Sequence, residues 1–322
     1  MTAVNARALP RPVLSTVLIA QPRRPLPQIV GIDVTDKECT EFLQWGLPRL
    51  RLAWPGFRRV RKQVCKRVAR RIDELELSGL AAYRTRLGQS PGEWKVLDGL
   101  CRITISRFYR DRGVFDAIST QVLPSIVRCA VERGDEEIRC WSVGCGSGEE
   151  AYTVQIMWKL SLGTSFSPGA RGPQPFPPVA RCKLPLRVTA SDVDGHMLER
   201  ASRGCYPKSS VKDLPVLWLE SAFSRYGDQY VLGETFRENV TFIKQDIRHA
   251  LAEGSFHIIL CRNLVFTYFD EELQMEILNK ILCRLLPDGI LAVGIHESLP
   301  QGASGLSPFG SGPAIYKKDV LQ

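Results

Sequence analysis

The stretch Ile138-Arg139-Cys140-Trp141-Ser142-Val143-Gly144-Cys145-Gly146-Ser147-Gly148-Glu149-Glu150 decides the fold. Residues 138–143 are largely apolar and read as a buried strand, and a glycine-rich turn follows at 144–148. A helix runs on from about 149 to 160, so the unit is strand, turn, helix. Glycines at such a turn let the backbone reverse tightly and come close to a ligand.

The same alternation continues downstream. A second strand over 186–190 leads into Ser191-Asp192-Val193-Asp194 and a helix beginning over 197–203. A third strand, 240–243, ends at Gln245-Asp246-Ile247, and a fourth covers 256–261. Leu273, Ile277, Ile281 and Leu285 fall at helical spacing over 271–286, and Pro287-Asp288-Gly289 turns that helix into a fifth strand at 290–295. Short apolar strands alternating with helices predict an α/β domain whose parallel sheet is covered on both faces. Residues 161–185, with Gly163, Pro168, Gly169, Gly172, Pro173, Pro175, Pro177 and Pro178, read as a flexible insertion inside that domain.

Upstream the pattern is helical. Leu43, Leu47 and Leu50 lie at helical spacing, and Val60, Val64, Val68 and Ile72 recur every fourth residue. The chain of 322 residues therefore divides into an all-helical N-terminal domain with its linker, 33–118, and an α/β domain, 119–322. Residues 1–32 are rich in Arg and Pro and read as a disordered tail or a targeting segment. No run of about 18 uncharged apolar residues is present, which argues against a membrane-spanning helix.

The net charge is +9. It concentrates at 49–71, where Arg49, Arg51, Arg58, Arg59, Arg61, Lys62, Lys66, Arg67, Arg70 and Arg71 occur with no acid among them. Such a cluster is either a solvated helix face or an attractor of phosphates, acidic protein surfaces or anionic membranes. Ten cysteines include no Cys-x-x-Cys pair and no zinc-like spacing, so no metal is expected. They read as reduced thiols in a cytosol-like, cytoplasmic compartment.

Four places carry candidate chemistry. Glu149 and Glu150 open the helix after the glycine turn, where they would repel the pyrophosphate that such a loop can otherwise receive. They favour a cationic ligand instead, such as the ammonium and sulfonium of S-adenosylmethionine. Asp192 ends the second strand, where an acid can accept from both ribose hydroxyls, and Asp194 suits a helix cap. Asp246 ends the third strand, placed either to accept an adenine amino group or to close an Asx turn. Cys261-Arg262-Asn263 and Tyr268-Phe269-Asp270 follow the fourth strand, at the edge where α/β sheets bind ligands. A buried arginine there needs a partner, so Arg262 is either a site residue or one half of a structural salt bridge.

Taken in order, Ser106-Arg107-Phe108-Tyr109-Arg110-Asp111, the Trp141–Tyr152 stretch, Ala190-Ser191-Asp192-Val193-Asp194, Cys261-Arg262-Asn263, Tyr268-Phe269-Asp270 and Leu286-Pro287-Asp288-Gly289-Ile290-Leu291 resemble the CheR-type chemoreceptor glutamate methyltransferases, over roughly residues 36–318. The resemblance implies a Rossmann-like domain dependent on S-adenosyl-L-methionine, its sheet mostly parallel with an antiparallel last strand, behind a basic helical domain. It implies O-methyl transfer to a protein glutamate, with Arg110 and Tyr268 at the reacting groups. Arg110 matches an arginine entering the cofactor site from the linker, and Thr104 and Ser106 match positions contacting the cofactor nearby. Gly144 lies in the cofactor turn, Glu150 faces the methionine part, Asp192 holds the ribose, and Asp246 and Ile247 flank the adenine. Arg262 and Asn263 match the Arg-Asn after the fourth strand.

The chain departs from the family pattern in four places. Leu264–Thr267 is one residue longer than the family spacing before Tyr268. Gly294-Ile295-His296-Glu297 stands where the family reads Gly-His-Ser-Glu. The 226–239 segment, where some members carry a small β-subdomain, is short, and the 161–185 insertion is unusual. Methyl transfer to another protein or a small molecule, and non-catalytic sensing of S-adenosylmethionine, stay open as alternatives. A nucleic-acid acceptor is disfavoured, because no Asn-Pro-Pro-Tyr-like signature is present.

Overall fold

A computed structural model describes residues 35–162, 184–310 and 314–319. The expected N-terminal tail and nearly all of the 161–185 insertion lie outside the described residues. In chain order the elements are α1 (Asp36–Gly46), α2 (Trp54–Phe57), α3 (Arg61–Glu74), α4 (Leu80–Gln89), α5 (Pro91–Cys101), α6 (Arg112–Ala117), α7 (Leu123–Arg133), β1 (Ile138–Val143), α8 (Glu149–Leu162), β2 (Leu186–Asp192), α9 (Gly195–Arg203), β3 (Cys205–Pro207), α10 (Lys208–Val211), α11 (Val216–Ala222), β4 (Phe223–Tyr226), β5 (Gln229–Leu232), β6 (Val240–Lys244), β7 (Phe256–Leu260), α12 (Val265–Tyr268), α13 (Glu271–Arg284), β8 (Leu285–Ala292), β9 (Leu306–Pro308) and β10 (Ile315–Lys318).

Helices α1, α3, α4 and α5 pack on one another, as the four-residue spacing requires, while α2 packs against α12. Val64, Val68 and Ile72 of α3 are buried with Phe42, Tyr83, Leu87 and Leu97. Each such side chain contributes roughly 1.5–3 kcal/mol of burial. A capping box between Thr35 and Glu38 starts α1. Cys39 of α1 and Cys65 of α3 form a disulfide, which corrects the expectation that all ten cysteines are reduced thiols. Their separation of 26 residues has no local motif to reveal it; the packing of α1 against α3 brings their Cα atoms to 6.0 Å. Seven other cysteines among the described residues are free.

The main sheet has seven strands in the order β6-β2-β1-β7-β8-β10-β9. The first five are parallel and β10 runs antiparallel to β8, as the resemblance implies; β9 adds an antiparallel edge that the sequence reading did not foresee. All five residues of β7 are buried, as a strand in the middle of a covered sheet must be. Strand β8 begins at Leu285, not at 290. The pairing jumps from Phe256 opposite Leu285 to Ile258 opposite Ile290, so Pro287-Asp288-Gly289 bulges out within the strand.

The stretch Arg112–Arg133 is continuously helical and apolar enough to cross a membrane by length and composition alone. Its α7 half packs on β1 and β8, which accounts for the apolar side chains, and the expected join at 118/119 falls within it. A second, small β-sheet stands apart from the main one. Strands β3, β5 and β4 form a three-stranded antiparallel sheet. It draws on residues 205–232, so it begins before the 226–239 window and ends within it, and its hairpin turns at Gly227, whose φ of 59° suits glycine.

Candidate active site

Chain order reverses at β1. The path runs from β1 through β2 to β6 on one side, then returns through β7 to β8 on the other. Ligands in such sheets bind outside the carboxyl ends of the strands at this switch point. A cleft of about 1200 Å³, part of it open to solvent, lies there. Its walls come from the turns after β1, β2, β6 and β7 and from the linker after α5. Leu52 and Phe57 of the helical part close it, beside Tyr268 and Phe269. Thr104, Ser106, Arg110, Gly144, Glu150, Asp192, Asp246, Ile247, Arg262, Asn263 and Tyr268 all line this one cleft.

The glycine turn is held by the acid of the next strand. Gly146 donates its N–H to Asp192 Oδ2 at 2.8 Å, and Asp194 donates to Asp192 Oδ1 at 2.9 Å. Burial raises the Asp192 pKa above its usual 3.8, against the lowering effect of these two donors. Gly144, Gly146 and Gly148 all have positive φ. A Cβ on Gly144 would come within 2.5 Å of Leu264 Cδ2, so the turn is a cradle that only glycine leaves open. Asp194 caps α9, accepting from His196 and Met197 N–H.

The two glutamates after the turn behave differently, which corrects the reading of them as a cation-attracting pair. Glu149 is buried away from the cleft, held by the hydroxyls of Ser147 and Ser210. Only Glu150 faces the cleft. It accepts from Ser142 Oγ at 2.8 Å and from Arg262 Nη1 at 2.9 Å.

Arg262, with a side chain only 2% exposed, also donates to Asp111 Oδ2 and to the Arg110 carbonyl, and it lies over the Phe115 ring. It is thus both a cleft residue and a structural ion pair, tying the linker to α8 and to the end of β7. Asn263 takes a positive φ of 55°. Its N–H donates to buried Glu297, and its Oδ1 accepts from Arg110 Nη2 at 3.2 Å. Glu297 also accepts from Gly294 N–H and from the Thr267 hydroxyl, so it anchors the segment that carries Tyr268. Burial raises the Glu297 pKa, and these hydrogen bonds lower it only in part. The four residues preceding Tyr268 are accommodated by the short helix α12. Tyr268 packs edge-on against Phe57, its ring centroid 5.1 Å away. Burial raises its pKa, so it stays protonated at neutral pH.

Asp246 closes the Asx turn anticipated as one of its two readings, accepting from the Arg248 N–H. Burial raises the Asp246 pKa, but the Arg248 guanidinium outweighs it and holds the carboxyl below its usual range. Sequence reasoning missed Arg248, Asp98, Arg102 and Gln245 in the cleft wall. Arg248 stands two residues from Asp246, a spacing that could have been noticed; Asp98 is 150 residues from Arg248 and carries no local signal.

Among the described residues, three cleft-lining side chains keep buried polar atoms without a partner: Arg102 Nε, Gln245 Oε1 and Arg262 Nε. Polar atoms left unpaired at a cavity wall are what a polar ligand would satisfy. Together with the glycine cradle and the Asp192 carboxylate, the residues present fit S-adenosylmethionine.

Residues 104–167 and 177–311 match the family described as CheR methyltransferase, SAM binding domain. The chain belongs to the CheR methyltransferase family. It is a methyltransferase dependent on S-adenosyl-L-methionine, with a Rossmann-like fold. It is 28% identical over 242 residues to a chemotaxis protein methyltransferase of Borreliella burgdorferi, covering 74% of this chain and 79% of that one. A similar protein of Vibrio cholerae, chemotaxis protein methyltransferase 2, is 27% identical over 279 residues, 85% of this chain and 89% of its own. The chemotaxis protein methyltransferase of Escherichia coli is 29% identical over 246 residues, 74% and 77% of the two chains. The CheR match begins at Thr104 and so includes linker residues, among them Ser106 and Arg110, that line the cleft.

Proposed function

We propose that this CheR-family enzyme methylates the side-chain carboxylate of glutamate residues on a chemoreceptor-type protein in the cytoplasm. One observation carries the reading. Five arginines line the cleft, and four are paired with carboxylates: Arg102 and Arg248 with Asp98, Arg107 with Asp213, and Arg262 with Glu150 and Asp111. Among the described residues, Arg110 alone has no carboxylate partner; it donates to the Ile105 carbonyl and to Asn263 Oδ1. An uncompensated guanidinium at the cleft wall suits an acceptor that brings its own carboxylate.

S-adenosylmethionine, when bound, supplies an activated methyl group. Asp192 would accept from the ribose hydroxyls, Asp246 and Ile247 would flank the adenine, and Glu150, Gly144, Thr104 and Ser106 would border the methionine end, with Arg262 and Asn263 behind them. Arg110 orients the acceptor carboxylate, and the protonated Tyr268 hydroxyl donates beside it. No histidine or lysine lines the cleft among the described residues. A glutamate ionised at neutral pH needs no general base, so positioning and electrostatics supply the acceleration.

The basic 49–71 segment supports a protein acceptor with an acidic surface. Several of its charges are engaged within the chain: Arg51 with Asp270, Glu272 and Glu276, Arg61 with Asp36, and Arg71 with Glu74 and Glu93. Arg58, Arg59, Lys66 and Arg70 are exposed and make no ion pair among the described residues. Lys66 and Arg70 stand one turn apart on α3 and share a face. We take the helical part, 33–118, to face the acceptor and the α/β part, 119–322, to hold the cofactor.

The test is to incubate the protein with methyl-labelled S-adenosylmethionine and the cytoplasmic fraction and membranes of its source. Label entering a discrete protein as an ester released by mild base supports the reading. Label stable to base would move the acceptor to another class.

A further inference from the structure

At the end of the cleft formed by the turn after β6, four charged side chains alternate in sign. Arg102 pairs with Asp98 at 3.3 Å, Asp98 with Arg248 at 2.7 Å, and Arg248 with Asp246 at 2.7 Å. Asp98 belongs to α5 in the helical part, whereas Asp246 and Arg248 follow β6 in the α/β part. All four line the cleft. The pairing is forked on both sides: Arg248 Nη1 and Nη2 donate to the two oxygens of Asp98, and Nε and Nη2 donate to Asp246. The side chains of Asp98, Arg248 and Asp246 are 13%, 19% and 18% exposed, so solvent screens them only partly. The guanidinium also lies 5.9 Å from the ring centroid of Phe269, another cleft residue.

We propose that Arg248 is a positioning residue for cofactor binding, a clasp that fixes α5 as a wall of the cleft and sets the orientation of Asp246 through its bond to Asp98. The inference rests on the reading that the cleft holds S-adenosylmethionine. Four of the five guanidinium N–H groups of Arg248 are divided between two carboxylates, so its part is to hold those carboxylates in place. It acts on affinity by holding the two walls at a fixed separation before the ligand arrives, which lowers the ordering cost of binding. An arginine serves here where a lysine would not, because the planar fork engages both carboxylates at once. Among the described residues no hydrogen bond or ion pair joins the clasp to Arg110 or Tyr268, so its loss should weaken binding and leave turnover at saturation in place.

The experiment measures S-adenosylmethionine affinity by calorimetry and methyl transfer by initial rates for the full chain, Asp98→Asn, Arg248→Gln and the double variant. Asp98→Asn leaves the Arg248–Asp246 pair intact, so it remains informative if Arg248→Gln fails to fold. The clasp predicts a Kd raised about tenfold in each single variant, kcat within about twofold, and a double variant no weaker than the weaker single. An Asp98→Asn protein with a lower Tm but unchanged Kd would show the pair to be merely structural, and strictly additive losses in the double variant would equally overturn the coupling. A wild-type chain that binds no S-adenosylmethionine would remove the cofactor reading itself, and the clasp with it.

Discussion

Arg110 and Asp192 bear the two demands of the site, a charge for the acceptor and a carboxylate for the cofactor. Replacing Arg110 with Ala removes the one cleft guanidinium not matched by an acid among the described residues, and methyl transfer should fall by about tenfold or more. Initial rates at saturating S-adenosylmethionine check this, and full activity in a folded Arg110→Ala protein would exclude the role. Asp192 gives a pH signature. As an acceptor for ribose hydroxyls it must be ionised, and burial raises its pKa above 3.8. Cofactor affinity is therefore flat near neutrality and falls on acidification, beginning at higher pH than an ordinary aspartate would impose. The linked effect on the free protein has the opposite sense: a raised folded pKa gives stability that is full below the unfolded value and is lost as pH rises through the folded one. Calorimetry across a pH series on the wild type and Asp192→Asn separates the two, since the variant should bind weakly without this dependence.

At the scale of elements, the strand-turn-helix unit at 138–162 was legible because glycine spacing and apolar periodicity are local properties. Gly148 shows how tightly the turn is built: its φ is +86°, and an added Cβ would lie 2.9 Å from Ala201 Cβ and 3.1 Å from Phe242. Gly148→Ala should destabilise the protein by about 1–3 kcal/mol through strain and overpacking, read as a lower Tm. An unchanged Tm would mean that α9 and β6 give way more easily than this packing implies. Other elements escaped the sequence because their cause is tertiary. The bulge at 287–289 lengthens β8 only when β7 lies beside it, and the three-stranded sheet at 205–232 needs β3 to meet β5 across the 21 residues between them. The Cys39–Cys65 bond likewise depends on two helices packing side by side. Glu149, paired with Glu150 in the sequence, turns away because successive helical residues point about 100° apart.

Across the whole molecule, the switch point gathers into one cleft the eleven residues from Thr104 to Tyr268 expected to bind cofactor or acceptor, while Glu149 turns away from it. The wall contributed by the helical part was not legible, because Leu52, Phe57 and Asp98 reach the cleft through contacts with Phe269, Tyr268 and Arg248, all far away in sequence. The exposed charges on α3 make a separate prediction. Lys66→Glu with Arg70→Glu should raise the KM for an acidic protein acceptor severalfold and flatten its salt dependence, while the Kd for S-adenosylmethionine stays within about twofold. Equal KM values would leave that face without a role in docking. The most direct measurement of the central claim is peptide mapping by mass spectrometry of the acceptor after reaction with S-adenosylmethionine. The account predicts one added methyl group on a glutamate side chain, removed by mild base and absent with Arg110→Ala. A methyl group on nitrogen, on sulfur or on a nucleic acid would contradict it.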